Sequence, residues 1–317
     1  MFMSHPPQQL NPSPPTRRLI ITGSDARYFP VMEELIASIR CFPEAHQIAI
    51  GCIDGGLTPT QIHTLEAQGI PVRAPHIPKG ISARALKKRP SLVIGLSKLW
   101  LNRLFPDYDT LLWLDADAWV QESSALELLF SAAEGTTPAL AMIPELFAHK
   151  PFRLRWTPFN LAQIRSILYK NATLARLSRR IRRHVAVRPT LNGGIFALSR
   201  HAPHWNTLQQ WQGTILKHGK IFSSDQLALS LCAHVDGLPT ELLPARCNYL
   251  GPWFFNSQTG LLCEHTYPHL PAGIIHLAGY DAMRLDPKAT TTVIDETGAK
   301  RQMNLRFSSI ISPSNTR

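Results

Sequence analysis

Nowhere in the 317 residues does an uncharged apolar run approach the roughly 18 positions that a membrane-spanning helix needs. The five cysteines (Cys41, Cys52, Cys232, Cys247, Cys263) form no Cys-x-x-Cys pair and their number is odd. Buried thiols in a reducing compartment are therefore a simpler reading than a disulfide frame or a zinc knuckle. No short period runs through the 26 prolines and 18 glycines, which excludes collagen-like and repeat architectures. The opening MFMSHPPQQLNPSPPTRR has no apolar stretch of the signal-peptide kind, and residues 1–17 read as a disordered Pro-rich tail. Charged residues are sparse, 17% against 44% apolar, enough apolar material for one large core or two modest ones.

Positive charge is what remains. The net charge of +11 suggests a nucleic-acid partner until it is located along the chain. From His149 to Arg188 there are 11 Lys and Arg and no Asp or Glu, and the rest of the chain is balanced. At about 100° per residue, Leu174, Leu177 and Ile181 fall on one side of a helix. Arg176, Arg179, Arg180 and Arg183 fall on the other, and the aromatics Phe152, Trp156 and Phe159 precede them. The expectation is a basic amphipathic insertion over 149–188 that lies on an anionic membrane surface through residues 150–188. Each nearby Lys or Arg contributes about 1 kcal/mol there. The alternative is a surface helix docked on the core by its apolar stripe. Nucleic acid is the least favoured partner, because the aromatics are not interleaved with the basic cluster as stacking platforms.

Elsewhere strands and helices alternate. Residues 18–22 read as a strand stopped by Gly-Ser-Asp, and 28–41 carry apolar residues at helical spacing. Residues 47–53 form a second strand, and Thr58-Pro59 opens a helix that Gly69 closes. A strand over 70–73, an apolar helix over 91–105 and a strand over 110–114 follow. Ser124 and Glu127 read as a capping box, and 138–143 as a further strand. This order predicts an α/β fold with a Rossmann-like, doubly wound, mostly parallel sheet. One domain spans 18–290, and 291–317 read as a C-terminal tail. Ligands of such sheets sit at the carboxyl ends of strands, which singles out Asp25, Asp54 and Asp115.

Two Asp-x-Asp patterns occur. Asp107 and Asp109 follow Pro106 in a turn, where Asp is routine. Asp115 and Asp117 instead terminate Leu111-Leu112-Trp113-Leu114, a strand apolar at every position and so buried on both faces. Carboxylates at such an exit call for a neutralising partner, and a divalent cation bridging to phosphate is the natural one. Haloacid-dehalogenase phosphotransferases use the same device near the chain start, but want Thr or Val where Trp119 stands.

Taken together the motifs resemble the GT-A nucleotide-sugar glycosyltransferases, closest to the retaining galactosyltransferase and glycogenin group, glycosyltransferase family 8, over roughly residues 18–285. ITGSDARYFPVMEELIASI is similar to that family's first strand and helix, which makes Asp25 and Tyr28 the nucleotide-base contacts. Lys98 stands where the family often has a basic residue for the sugar-diphosphate. LWLDADAWV resembles its metal-binding segment. TLNGGIFALSR resembles its donor-sugar segment, with Asn192 and Gly193 at the matching places. Read alone, Asn-Gly-Gly is a tight turn before a strand. Asp225 and Gln226 match the pair beside the anomeric carbon. GIIHLAGYDAM is similar to the family's His-x-x-Gly segment, giving His276 as third metal ligand and Gly279 beside it. Ala282 stands where the family has a diphosphate-clamping Lys, so Arg284 or Lys288 would take that part. Leu227 follows Gln226 where some members have another acid.

The resemblance implies Mn2+ (or Mg2+) on Asp115, Asp117 and His276, a UDP-sugar donor, and transfer of a hexose with retention to a saccharide or lipid-linked acceptor. Asp225 and Gln226 are its implied catalytic pair. The unpaired cysteines and the opening without a signal-peptide stretch point to the cytoplasm, with peripheral membrane association through 150–188. Two alternatives stay open. A nucleotidyltransferase shares the sheet and the carboxylates but wants a Gly-rich basic loop after its first strand. A catalytically inactive protein on the same fold would bind nucleotide-sugar without turnover.

Overall fold

The computed structural model describes residues 16–145, 152–157 and 161–310. The chain opens with β1 (Arg18–Ser24), α1 (Phe29–Arg40), β2 (Ala49–Asp54), α2 (Pro59–Ala67) and β3 (Val72–Arg73). Short helices α3 (Ala83–Lys88), α4 (Leu92–Ser97) and α5 (Leu101–Leu104) lead to β4 (Thr110–Leu114) and β5 (Ala118–Val120). Next come α6 (Ser124–Ala133), β6 (Leu140–Pro144), a hairpin of β7 (Phe152–Thr157) and β8 (Leu161–Ser166), then α7 (Ile167–Leu174) and α8 (Arg179–Val185). The chain continues through β9 (Leu191–Ser199), α9 (His204–Leu216), α10 (Ser224–His234) and β10 (Thr240–Leu242). It closes with β11 (Trp253–Asn256), β12 (Leu261–Glu264), β13 (Ile274–His276), α11 (Asp281–Leu285), β14 (Thr291–Asp295), β15 (Lys300–Met303) and α12 (Phe307–Ile310).

Seven strands build the main sheet in the order β10–β6–β9–β4–β1–β2–β3. β1 runs parallel to β2 and β4, β2 to β3, and β6 to β10, while β9 lies antiparallel between β4 and β6. The fold is therefore α/β with a mostly parallel sheet, as the alternation predicts. Its central strands are apolar throughout because successive residues serve opposite faces, each covered by helices. Leu111 and Trp113 of β4 enter a core shared with α7, α9 and α10. Leu112 and Leu114 enter another, shared with α1 and α6. A smaller sheet, β12–β11–β14–β15, encloses a third core with Trp119, Ile275 and Leu305.

Local structure departs from the sequence pattern in several places. The helix expected over 91–105 is three short pieces. Ser97 Oγ donates back to Val93 O (2.7 Å) and accepts from His76 N (2.9 Å), and such back-bonding bends a helix. α6 starts at Ser124 without a side-chain cap. Glu127 turns to Arg18 instead, at 2.6 Å. Asn192, Gly193 and Gly194 lie within β9, not in a turn.

The basic insertion is not one amphipathic helix. α7 ends, Arg176 takes a left-handed φ of 54°, and Ser178 Oγ caps α8 by accepting from Ile181 N. Leu168, Ala172, Leu177 and Val185 are buried in the main core. The apolar stripe is covered in part: Leu177 is buried and Ile181 packs against the core, while Leu174 is 39% exposed. Residues 291–303, read as a tail, form the β14–β15 hairpin, and β14 pairs with β11. The segment is fastened by buried Leu305, whose carbonyl accepts from Trp119 Nε1 (2.8 Å), and by Arg306 on Glu34. The Pro-rich stretch through residue 15, Phe159 and residues 311–317 lie outside the described residues.

Candidate active site

The exit of β4 is shaped by its neighbours. Asp115 N donates to Gly194 O on β9 (2.8 Å), and Ala118 N to Asp115 O (3.0 Å). This short turn delivers Asp115 and Asp117 ahead of β5. β13 pairs antiparallel with β5, setting His276 opposite Ala118. As a result one ligand atom each from Asp115, Asp117 and His276 falls within 4.8 Å of the others. His276 Nε2 is 3.3 Å from Asp117 Oδ1 and 3.9 Å from Asp115 Oδ2. Nδ1 donates to Asn248 Oδ1 (2.8 Å), which leaves Nε2 of the neutral ring as the ligand atom.

Two carboxylates and an imidazole suit a divalent cation such as Mn2+ or Mg2+, and the surroundings fit one. A Cβ on Gly194 would collide with the His276 ring and lie 2.8 Å from both Asp115 Oδ2 and Asn192 Oδ1. Only glycine leaves the ligands their place.

Lys98 is buried beside them. Its Nζ reaches Asp115 Oδ1 (2.7 Å), Asp225 Oδ2 (3.3 Å) and Gly193 O (2.9 Å). Trp113 Nε1 also donates to Asp115 Oδ1 (2.8 Å). Asp225 opens α10 and packs near the start of β9. There Gly193 is needed small, since a Cβ would lie 3.2 Å from Gln226 Cβ. Glu145, directly after β6, accepts from Asn192 Nδ2 (2.8 Å) and Gln226 Nε2 (3.3 Å), and Asn192 Oδ1 accepts from Gly194 N (2.8 Å).

On the opposite wall, Asp25 Oδ1 accepts from Arg27 N and Tyr28 N (3.1 and 3.0 Å), fixing the turn into α1. Gly279 takes φ 89°, a conformation other residues rarely adopt, and turns the chain toward α11. Arg284 Nη1 reaches Asp117 Oδ2 (2.9 Å), its other end pairs with Asp281, and its Nε is buried without a partner. Tyr28 faces it, with the guanidinium carbon 5.9 Å from the ring centroid.

These charges shift one another. Burial favours neutral Asp117, but the charge and hydrogen bond of His276, helped by Arg284, hold it down at about 2. Burial works against a charged His276 ring as well, yet Asp117 and Asp115 outweigh it and raise its pKa. Lys98 is raised in the same way, its burial overcome by Asp115 and Asp225. Asp225 goes up, driven first by burial and further by Asp115, against the pull of Lys98.

Twelve of the residues singled out from the sequence line one cleft of about 770 Å3: Asp25, Tyr28, Lys98, Asp115, Asp117, Asn192, Gly193, Asp225, Gln226, His276, Gly279 and Arg284. Of the two candidates for the missing family lysine, Arg284 lines the cleft and Lys288 is an exposed residue away from it. Asp54 serves its own turn, accepting from Gly56 N and Leu57 N, and Asp109 holds Arg17 N. A hollow of about 830 Å3 at the other end of β1 is walled by the Arg18 ion pairs and holds none of the site residues. Sequence reasoning missed Glu145, Asn248 and Gly194. Glu145 stands right after a strand, the position already known to matter. Asn248 carries no local signal.

No protein-family model matches the chain, and no curated protein sequence does either. Among solved structures, it is similar to the galactosyltransferase LgtC, solved with donor and acceptor sugar analogues, at 15% identity and a TM-score of 0.49. That match covers 81% of this chain and 86% of the other. The WbbM bifunctional glycosyltransferase matches at 14% identity and a TM-score of 0.49, over 85% of this chain and 47% of that one. Mouse xyloside xylosyltransferase 1 matches at 12% and 0.44, over 83% and 98%. Identities this low say nothing of donor or acceptor, so the chemistry has to be argued from the geometry of the site itself.

Proposed function

We propose that the chain is a metal-dependent glycosyltransferase moving a hexose from a UDP-sugar to a saccharide or lipid-linked acceptor with retention. The observation that carries this is the convergence of Asp115, Asp117 and His276 with two cations, Lys98 and Arg284, in one cleft. The three ligands would hold Mn2+ or Mg2+, which supplies Lewis-acid charge to a departing diphosphate when bound. Arg284 adds a guanidinium on the same spot, and its buried, unsatisfied Nε asks for an anionic oxygen. Lys98 keeps Asp115 and Asp225 from repelling each other.

Asn192, Gln226 and Glu145 form a polar wall with donors and acceptors side by side, the chemistry sugar hydroxyls need. Asp25 and Tyr28 would contact the base. Asp225 and Gln226 would lie beside the anomeric carbon and stabilise positive character there. In a same-face displacement the acceptor hydroxyl forms the new bond while its proton passes to the departing phosphate oxygen.

Among the described residues no helix is long and apolar enough to cross a membrane. The cytoplasmic location and contact with an anionic membrane through 150–188 are part of the proposal. That contact rests mainly on charge, since Leu177 of the apolar stripe is buried in the core and Leu174 alone of the three stands exposed.

Release of free UDP from a panel of UDP-sugars, with and without Mn2+, tests the reading. Metal-dependent release from one sugar, lost in Asp117→Ala, is the expected outcome. Release that ignores metal and the substitution, or the absence of both UDP-sugar binding and release, would overturn it.

A further inference from the structure

Two stretches of the sequence contain no acid at all: 67–106, with eight Lys and Arg, and 146–224, with fourteen. The fold joins them at one lip of the cleft. There the guanidinium carbon of Arg89 stands 4.4 Å from the ring centroid of Phe222, and both residues line the cleft. Phe222 is 58% exposed and lies three residues before Asp225. Arg89 directly follows α3, whose Arg84, Lys87 and Lys88 are exposed too. Among the described residues none of these four cations forms an ion pair.

Charges deeper in the cleft behave differently. Lys98 is neutralised by Asp115 and Asp225, and Arg284 by Asp117 and Asp281. Uncompensated positive charge is therefore found at the lip, next to an aromatic ring that is more than half exposed. A sugar ring offers an apolar C–H face that stacks on such a ring, and a carboxylate or phosphate on it pairs with a guanidinium. A neutral acceptor would use the ring and leave the cations idle. We propose that this lip is the acceptor subsite, and that the acceptor is an anionic saccharide stacked on Phe222 with its carboxylate or phosphate on Arg89. The word acceptor rests on the glycosyltransferase reading; the binding itself does not, so the two fail separately.

Calorimetry with tetragalacturonate, a phosphorylated maltotetraose and neutral maltotetraose tests this on wild type, Arg89→Glu, Arg89→Lys and Phe222→Ala. The anionic saccharides should bind more tightly than the neutral one, and high salt should erase that preference. Arg89→Glu should weaken the anionic ligands by at least about tenfold while sparing the neutral one, with Arg89→Lys between. Phe222→Ala should weaken all three. Whichever anionic probe prevails names the group as carboxylate or phosphate. Equal affinity for charged and neutral saccharides, or no effect of Arg89→Glu, would overturn the proposal. So would loss, in that variant, of binding to phosphatidylglycerol vesicles or duplex DNA where no saccharide binds. UDP release measured in parallel separates the two readings. Anionic binding with neither binding of a UDP-sugar nor release of UDP keeps the lip and removes the transferase; release without an anionic preference does the reverse.

Discussion

The imidazole of His276 points Nε2 at the carboxylates because Asn248 accepts from Nδ1. Removing such an orienting partner typically costs about 10–100-fold in metal affinity. Asn248→Ala should therefore weaken Mn2+ binding by that much in a calorimetric titration while leaving the fold intact. The same ring makes binding depend on pH. Its pKa is raised by Asp117 and Asp115 against burial, so the metal-free ring keeps a proton to higher pH than a free imidazole, and the ion competes with that proton. Mn2+ affinity should fall as pH is lowered, with proton release detectable as a buffer-dependent heat. Gly194 is the sharper case. Gly194→Ala places a methyl group among the ligands and should abolish Mn2+ binding outright, a loss that retained Mn2+ binding in the variant would refute.

At the scale of elements a single side chain ties together the turn of the C-terminal hairpin. Asp295, buried at the end of β14, accepts from Thr297 Oγ1 (2.6 Å), from the Thr297 and Ala299 amides (both 3.0 Å) and from Arg301 Nε (2.7 Å). The Thr297 bond leads in holding this carboxyl at about 2, below its ordinary 3.8. A group depressed on folding stabilises the native state above its unfolded pKa and loses that contribution as pH falls through the folded one. Thermal melts should thus show acid destabilisation setting in below about pH 4, and Asp295→Asn should flatten that dependence while lowering the melting temperature at neutral pH.

This hairpin was legible in Thr-Thr-Val-Ile-Asp before Gly298, a strand and turn that the notion of a tail obscured. The long apolar helix over 91–105 was not. Its break depends on Ser97 meeting a backbone amide at His76, 21 positions earlier in the chain, and no periodicity records such a meeting. Thr58 and Gln61, by contrast, form the local reciprocal cap that a sequence does carry.

Across the whole molecule, the cleft gathers residues from Asp25 to Arg284. The sheet explains why so many of them could be named beforehand. Strand ends converge on one edge, so each buried apolar run announces the polar residue after it. What the runs leave unsaid is how distant pieces meet: β13 beside β5, Asn248 behind His276, Arg89 over Phe222. Those meetings depend on packing of the second sheet and of the short helices, which carry weak patterns of their own. The cation centre is built from two parts of the chain, Asp115 and Asp117 from the first half and His276 from the last strand pairing before α11. During synthesis the carboxylates leave the ribosome long before the histidine does. A growing chain can therefore fold its first sheet yet hold no complete cation site, and the competence to bind metal would be acquired in one late step.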